Sequence, residues 1–178
     1  MPICSPLVGI PAVCGDNNLG AAKEVLIASF EDVLTVAYNS GAVTAVTMEE
    51  DSKFEKFIFP KDTSKFGQEY TGDLIADTHS YTQTIEMGFR RFDTVKRNAL
   101  MLLAAGRRNL VVIVLDNNDE YWMLGSDQGM RLTAQSDDSG TTRANGQQTT
   151  VTLTTENERY MWLKVPSGLI PALLLPAD

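Results

Sequence analysis

Tyr81-Thr82-Gln83-Thr84-Ile85-Glu86-Met87-Gly88-Phe89 is the run on which the reading of the fold turns. Successive side chains of an extended strand point to opposite faces. Tyr81, Ile85, Met87 and Phe89 therefore share one face, and Thr82, Thr84 and Glu86 the other. Apolar residues on one side and β-branched polar residues on the other describe a half-buried strand. Thr150-Val151-Thr152-Leu153-Thr154 repeats the pattern, with Val151 and Leu153 inward. Residues 42–48 form a third such stretch, and 24–30 and 54–59 read as strands with looser alternation.

Outward from these runs, Leu110-Val111-Val112-Ile113-Val114-Leu115 is apolar on both faces. Such a strand is covered on two sides. Asp116-Asn117-Asn118-Asp119 supplies turn residues, and Tyr121-Trp122-Met123-Leu124 returns, which predicts a β-hairpin. Gly125 and Gly129 bracket the next turn, and 130–134 is a further short strand. The polar stretch 136–148 reads as a long exposed loop. One segment is helical, 94–105, with Asp93 as N-cap and Gly106 as terminator. Val95, Ala99, Leu102 and Leu103 are its expected inward face. Leu100, Met101 and Ala104 point the other way, so the helix asks for a second cover. A neighbouring subunit is the expected one.

The 178 residues suffice for one well-buried core, so 1–178 is read as a single domain. Both ends, 1–22 and 167–178, are apolar but broken by Pro and Gly, and are read as extended arms. Exposed apolar patches usually mark interaction sites. Ile10, Val13, Leu169, Ile170, Leu173 and Leu174 of the arms, with Leu100 and Met101 of the helix, are therefore the candidate subunit-interface residues. The N-terminus has no basic region ahead of its apolar stretch, and its prolines oppose a spanning helix. Use without membrane export is expected. Cys4 and Cys14 read as free thiols in a reducing compartment, since secreted disulfide scaffolds are denser in cysteine.

The net charge of −8 disfavours binding nucleic acid by cations on phosphate. It conceals a split. Residues 89–108 hold Arg90, Arg91, Lys96, Arg97, Arg107 and Arg108 against Asp93, a net +5 that leaves −13 elsewhere. Cations after a helix C-terminus suit its dipole, and intersubunit pairing is the competing role.

Catalytic and metal signals are sparse. His79 is the one histidine, which excludes two-histidine mechanisms. His79 with Asp77 and a serine such as Ser126 is the one triad to consider, and a strand-end histidine is the preferred account. Residues 116–120 offer oxygen ligands but lack the glycine and distal glutamate of a calcium loop, and a hairpin turn explains them better. No catalytic residue, metal site or cofactor is expected. A small β-rich hydrolase is the alternative, as is a binding module that presents 136–148.

Threonine-rich strands, a mid-chain helix and apolar ends together resemble phage tail tube proteins of tailed phages of Bacteroidota, including the crAss-like group. The resemblance is carried by 110–116, Tyr121-Trp122-Met123-Leu124-Gly125, Asp127-Gln128-Gly129, Met130-Arg131-Leu132-Thr133, Ser139-Gly140 and 149–155, about half of the chain. It implies a β-sandwich or barrel with a flanking helix. It also implies a structural virion protein, made in the host cytoplasm, whose copies form hexameric rings. The rings stack into a tube through which DNA passes without specific binding. Its other partners would be tail and connector proteins, with no membrane. A terminator or baseplate protein is the alternative in this class.

Overall fold

The structure, a computed structural model, describes residues 20–60, 63–73, 78–90, 93–105, 109–140 and 146–174. The chain is mainly β, with two sheets and few helices. In order come β1 (Ala22–Ser29), β2 (Val33–Asn39), β3 (Ala42–Met48), β4 (Glu55–Ile58), β5 (Ser64–Asp73) and β6 (Thr78–Arg90). Helix α1 (Thr94–Ala105) leads to β7 (Leu110–Asp116), β8 (Tyr121–Leu124), β9 (Arg131–Asp138), β10 (Gln148–Glu158), β11 (Leu163–Val165) and the short α2 (Ile170–Leu173). A seven-stranded sheet has the order β2-β3-β11-β8-β7-β1-β4, and a four-stranded sheet the order β5-β6-β10-β9. All pairings are antiparallel except β3 with β11.

Strand alternation builds two cores. Val25, Ile27, Val112, Val114 and Leu124 face Ile85, Met87, Phe89, Val151 and Leu153 across the gap between the sheets. The intervening residues Leu26, Ala28, Val111, Ile113 and Met123 point to the opposite side of the seven-stranded sheet. There they meet Val43, Phe54, Leu163, Val165, Ile170 and Leu173. Strand β7 is thus buried on both faces, as its unbroken apolar run requires. Each fully buried Val, Leu, Ile or Met contributes about 1.5–3 kcal/mol, so these strands dominate the stability of the sandwich. Gly125 holds the turn after β8 at φ +68, and an added Cβ would lie 2.9 Å from the Met130 backbone nitrogen. Only glycine fits that turn without strain.

Several expectations need correction. The helix starts where its cap predicted, with the Val95 N–H donating to Asp93 Oδ1 at 2.8 Å. Two of its side chains depart from the expected orientation, and those of Leu102 and Leu103 are not among the side chains described. Leu100 is 6% exposed and belongs to the core between the sheets, whereas Val95 is 78% exposed. A nearly all-round apolar helix has no dominant stripe, so the shape of the sandwich chooses which face is buried. Residues 136–138 are not loop but the end of β9, paired with 148–150 of β10. Polar residues are permitted there because that part of the strand is open to solvent. Ala22, read as arm, opens β1. Strands β2, β5 and β11 were not anticipated. The first has bulges, the second alternates weakly, and the third spans only three residues.

Candidate functional site

The outward face of the four-stranded sheet is a regular polar surface. Thr82, Thr84 and Glu86 of β6 lie beside Thr150, Thr152 and Thr154 of β10, in the register Thr84 with Thr154 and Glu86 with Thr152. All six keep contact with solvent. The Lys65 ammonium stands 3.0 Å from a Glu86 carboxylate oxygen, and the Thr133 and Thr154 hydroxyls are 3.0 Å apart. The surface is rich in hydroxyls and of mixed charge. Its sheet ends on β5 at one side and β9 at the other. The alternating threonines that identified the strands therefore also compose this face.

The expected interface residues separate into groups. Ile10 and Val13 lie outside the described residues. Met101 is 58% exposed, free to meet a neighbour. Leu100, Ile170 and Leu173 are buried in the chain's own cores, so they are corrected from interface to core residues. Leu169 and Leu174 are partly buried against the second core. The described part of the expected C-terminal arm covers its own sheet instead of reaching outward. The Phe54 N–H donates to Leu173 O at 2.9 Å and so fastens the segment beside β4. Burying these leucines removes apolar surface from water without needing a partner.

The conjectured triad can be followed only in part among the described residues. His79 is exposed on β6 opposite Gly72, and Asp77 lies outside the described residues. Ser126 follows Gly125, whose N–H donates to Gln83 Oε1 at 2.9 Å. His79 precedes Gln83 by four strand residues, roughly 13 Å along β6. Among the described residues no three His, Cys, Asp or Glu side chains gather as a metal site. No helix of the described residues is long and apolar enough to cross a membrane. Of the basic segment, Arg90 and Arg97 are exposed, while residues 91 and 106–108 lie outside the described residues.

Asp116 organises the β7–β8 hairpin. Its Oδ1 accepts the N–H of Asn118 at 2.8 Å and of Glu120 at 2.9 Å, and its Oδ2 accepts the Trp122 indole N–H at 3.2 Å. Burial pushes its carboxyl up, but the donated bonds from Glu120, Trp122 and Asn118 outweigh it and hold the pKa below the usual 3.8. Two buried polar groups were not legible in the sequence. Gln83 bridges Gly125 to Tyr160, whose carbonyl accepts its Nε2–H at 3.0 Å. Glu158 is 0% exposed. It accepts the N–H of Asp127 at 3.1 Å and of Gln128 at 2.9 Å, and so clamps the β8–β9 turn onto β10. Burial raises its pKa above the usual 4.5, against those two N–H bonds.

The two carboxylates act with opposite sign in acid. A raised native pKa means that the folded state gains stability as Glu158 takes its proton, between its native pKa and pH 4.5. A lowered one means that stability supplied by Asp116 is lost as pH falls from 3.8 through the native pKa. Denaturant unfolding followed across pH should therefore show a rise before the acid decline. Glu158→Gln should abolish the rise and lose about 1–3 kcal/mol at neutral pH, because one N–H donor of the turn then faces an amide NH2. An unchanged profile would contradict the clamp.

No family model, no curated protein and no solved structure matches this chain.

Proposed function

We propose that the chain is a structural virion protein, a tail tube subunit. Its copies would close into rings, hexamers by the resemblance, that stack around a DNA-conducting channel. The observation that carries this reading is the hydroxyl-rich, mixed-charge outer face of the four-stranded sheet, with β5 and β9 at its margins. Affinity for DNA comes chiefly from cations placed on phosphates. A wall of threonines, with Lys65 paired to Glu86, offers few such cations, so DNA slides past it. A sheet edge that exposes backbone donors and acceptors invites pairing with another strand where charge does not guard it. Head-to-tail pairing that closes on itself makes a ring.

Electron microscopy and light scattering of the purified chain test the proposal. Rings or hollow tubes are the expected result. Single rings that never stack would favour a terminator or connector in place of a tube subunit. A chain that stays monomeric at high concentration would overturn the assembly reading altogether.

A further inference from the structure

A polar cleft of about 330 Å³ opens at the β9 margin of the four-stranded sheet. Its described lining residues include no Val, Leu, Ile, Met or aromatic side chain. Small-molecule pockets are mostly apolar and span roughly 300–1,000 Å³. This cleft has the size of the smallest of them and the opposite chemistry, so its ligand is small and hydrophilic. Arg131, Thr133, Thr154 and Glu156 line it. Arg131 stands directly opposite Thr154 in the register of β9 with β10, and Glu156 lies two residues further along β10.

The two charges in the cleft are held apart. By that register Arg131 and Glu156 are diagonal neighbours, roughly 7–8 Å apart at their backbones and within reach of an ion pair between long side chains. They do not form one. Arg131 turns instead to Asn109, whose Oδ1 accepts its Nε–H at 2.6 Å. Asn109 is itself held, its Nδ2–H donating to the Gln128 carbonyl at 3.0 Å. Gln128 is fixed in turn, since its N–H donates to the buried Glu158 carboxylate at 2.9 Å. Gly129 makes the room, because a Cβ there would lie 2.5 Å from Asn109 Cβ. The guanidinium is therefore anchored through Nε, and its two terminal nitrogens have no partner among the described residues. Glu156 has no hydrogen-bond or ion-pair partner among them either.

We infer that this cleft binds a small dipolar molecule, with its carboxylate on the terminal nitrogens of Arg131 and its ammonium on Glu156. A free amino acid or a short peptide with small side chains presents that pair of groups. Charge selects this class. A plain anion would meet the Glu156 carboxylate on a chain of net charge −8, and a plain cation would meet Arg131. A molecule with both ends satisfies both. The paired terminal nitrogens of an arginine hold a carboxylate by two parallel bonds. The Thr133 and Thr154 hydroxyls, 3.0 Å apart, supply donors and acceptors for the polar middle of the ligand. The chain of bonds from Glu158 through Gln128 and Asn109 has already fixed the cation, which lowers the cost of binding. Binding here needs only one copy of the chain.

Equilibrium dialysis with labelled glycylglycine tests the site, with acetylglycine, which lacks the ammonium, and glycinamide, which lacks the carboxylate, as competitors. Saturable binding in the millimolar range is expected. Each competitor should be roughly tenfold weaker or more, since each forgoes one charge-assisted bond. Glycine, run beside them, tells a free amino acid from a peptide, and preference for either supports the site. Arg131→Gln and Glu156→Gln change exposed side chains and should melt as the wild type does. Each should weaken glycylglycine by roughly tenfold or more. In Glu156→Gln the dipeptide should also lose its advantage over acetylglycine. Absence of saturable binding by glycine and glycylglycine alike would overturn the inference. So would acetylglycine bound as tightly as glycylglycine, or binding unchanged in Arg131→Gln. Rings or tubes from a chain that binds neither probe would leave the assembly reading standing, and binding by a chain that stays monomeric would do the reverse.

Discussion

Leu100→Asp is expected to unfold the chain, and Met101→Asp, one residue further on, to leave its melting nearly unchanged. Leu100 is 6% exposed and packed into the core between the sheets. An aspartate there is an unpaired buried charge, with a cost of about 3–5 kcal/mol. Loss of the leucine's own burial adds about 1.5–3 kcal/mol. A typical domain has about 5–15 kcal/mol in all. Met101 is 58% exposed, and surface changes of this kind usually stay within about 0.5 kcal/mol. Thermal unfolding followed by circular dichroism separates the two. If Met101→Asp nevertheless impairs assembly while its fold is intact, the exposed side of α1 belongs to a subunit contact. If Leu100→Asp melts like the wild type, the placement of α1 is wrong.

The double variant Ile170→Ala, Leu173→Ala should be almost as damaging. Both side chains are buried against the face of the seven-stranded sheet formed by Leu26, Ala28, Ile113 and Met123. Large-to-small changes at such positions cost about 2–5 kcal/mol each. The two residues are neighbours in one core, so their effects will not add simply. Had 167–174 been a free arm, the variant would lose assembly and keep its melting temperature. Chemical denaturation of the variant at low protein concentration, where assembly cannot contribute, decides between these outcomes. A midpoint equal to that of the wild type would refute the core assignment.

These two predictions mark where the residues were readable and where they were not. The period-two alternation of 81–89 and 150–154, and the two-sided apolar run 110–115, led directly to β6, β10 and β7. Those patterns are local consequences of strand geometry. The helix was equally legible as a helix, since the Asp93 cap is a local signal. Its buried face was not. Leu100 and Val95 are both apolar, and only the position of the sheets decides which one is covered. The same holds for 167–174, whose leucines describe an outward arm and an inward cover equally well. The Glu158 clamp was invisible for a different reason. A carboxylate in a polar strand end looks solvated until the Asp127 and Gln128 amides, about thirty residues away in the chain, are folded against it.

The candidate surface divides along the same line. The hydroxyl face of the four-stranded sheet is written in the threonine alternation, because each strand reports its two faces by itself. The identity of the open edges is not, because an edge exists only once strand order is known. Strand β2 is recognised as an edge only when β3 takes one side of it and no described strand takes the other. The sequence by itself determined a β-rich chain with one principal helix and two-sided burial of 110–115. Tertiary structure alone decided which apolar residues are core and which are surface, and which strands are edges. Local periodicity says that a side chain must be covered, whereas the covering partner is a non-local contact that no single segment encodes.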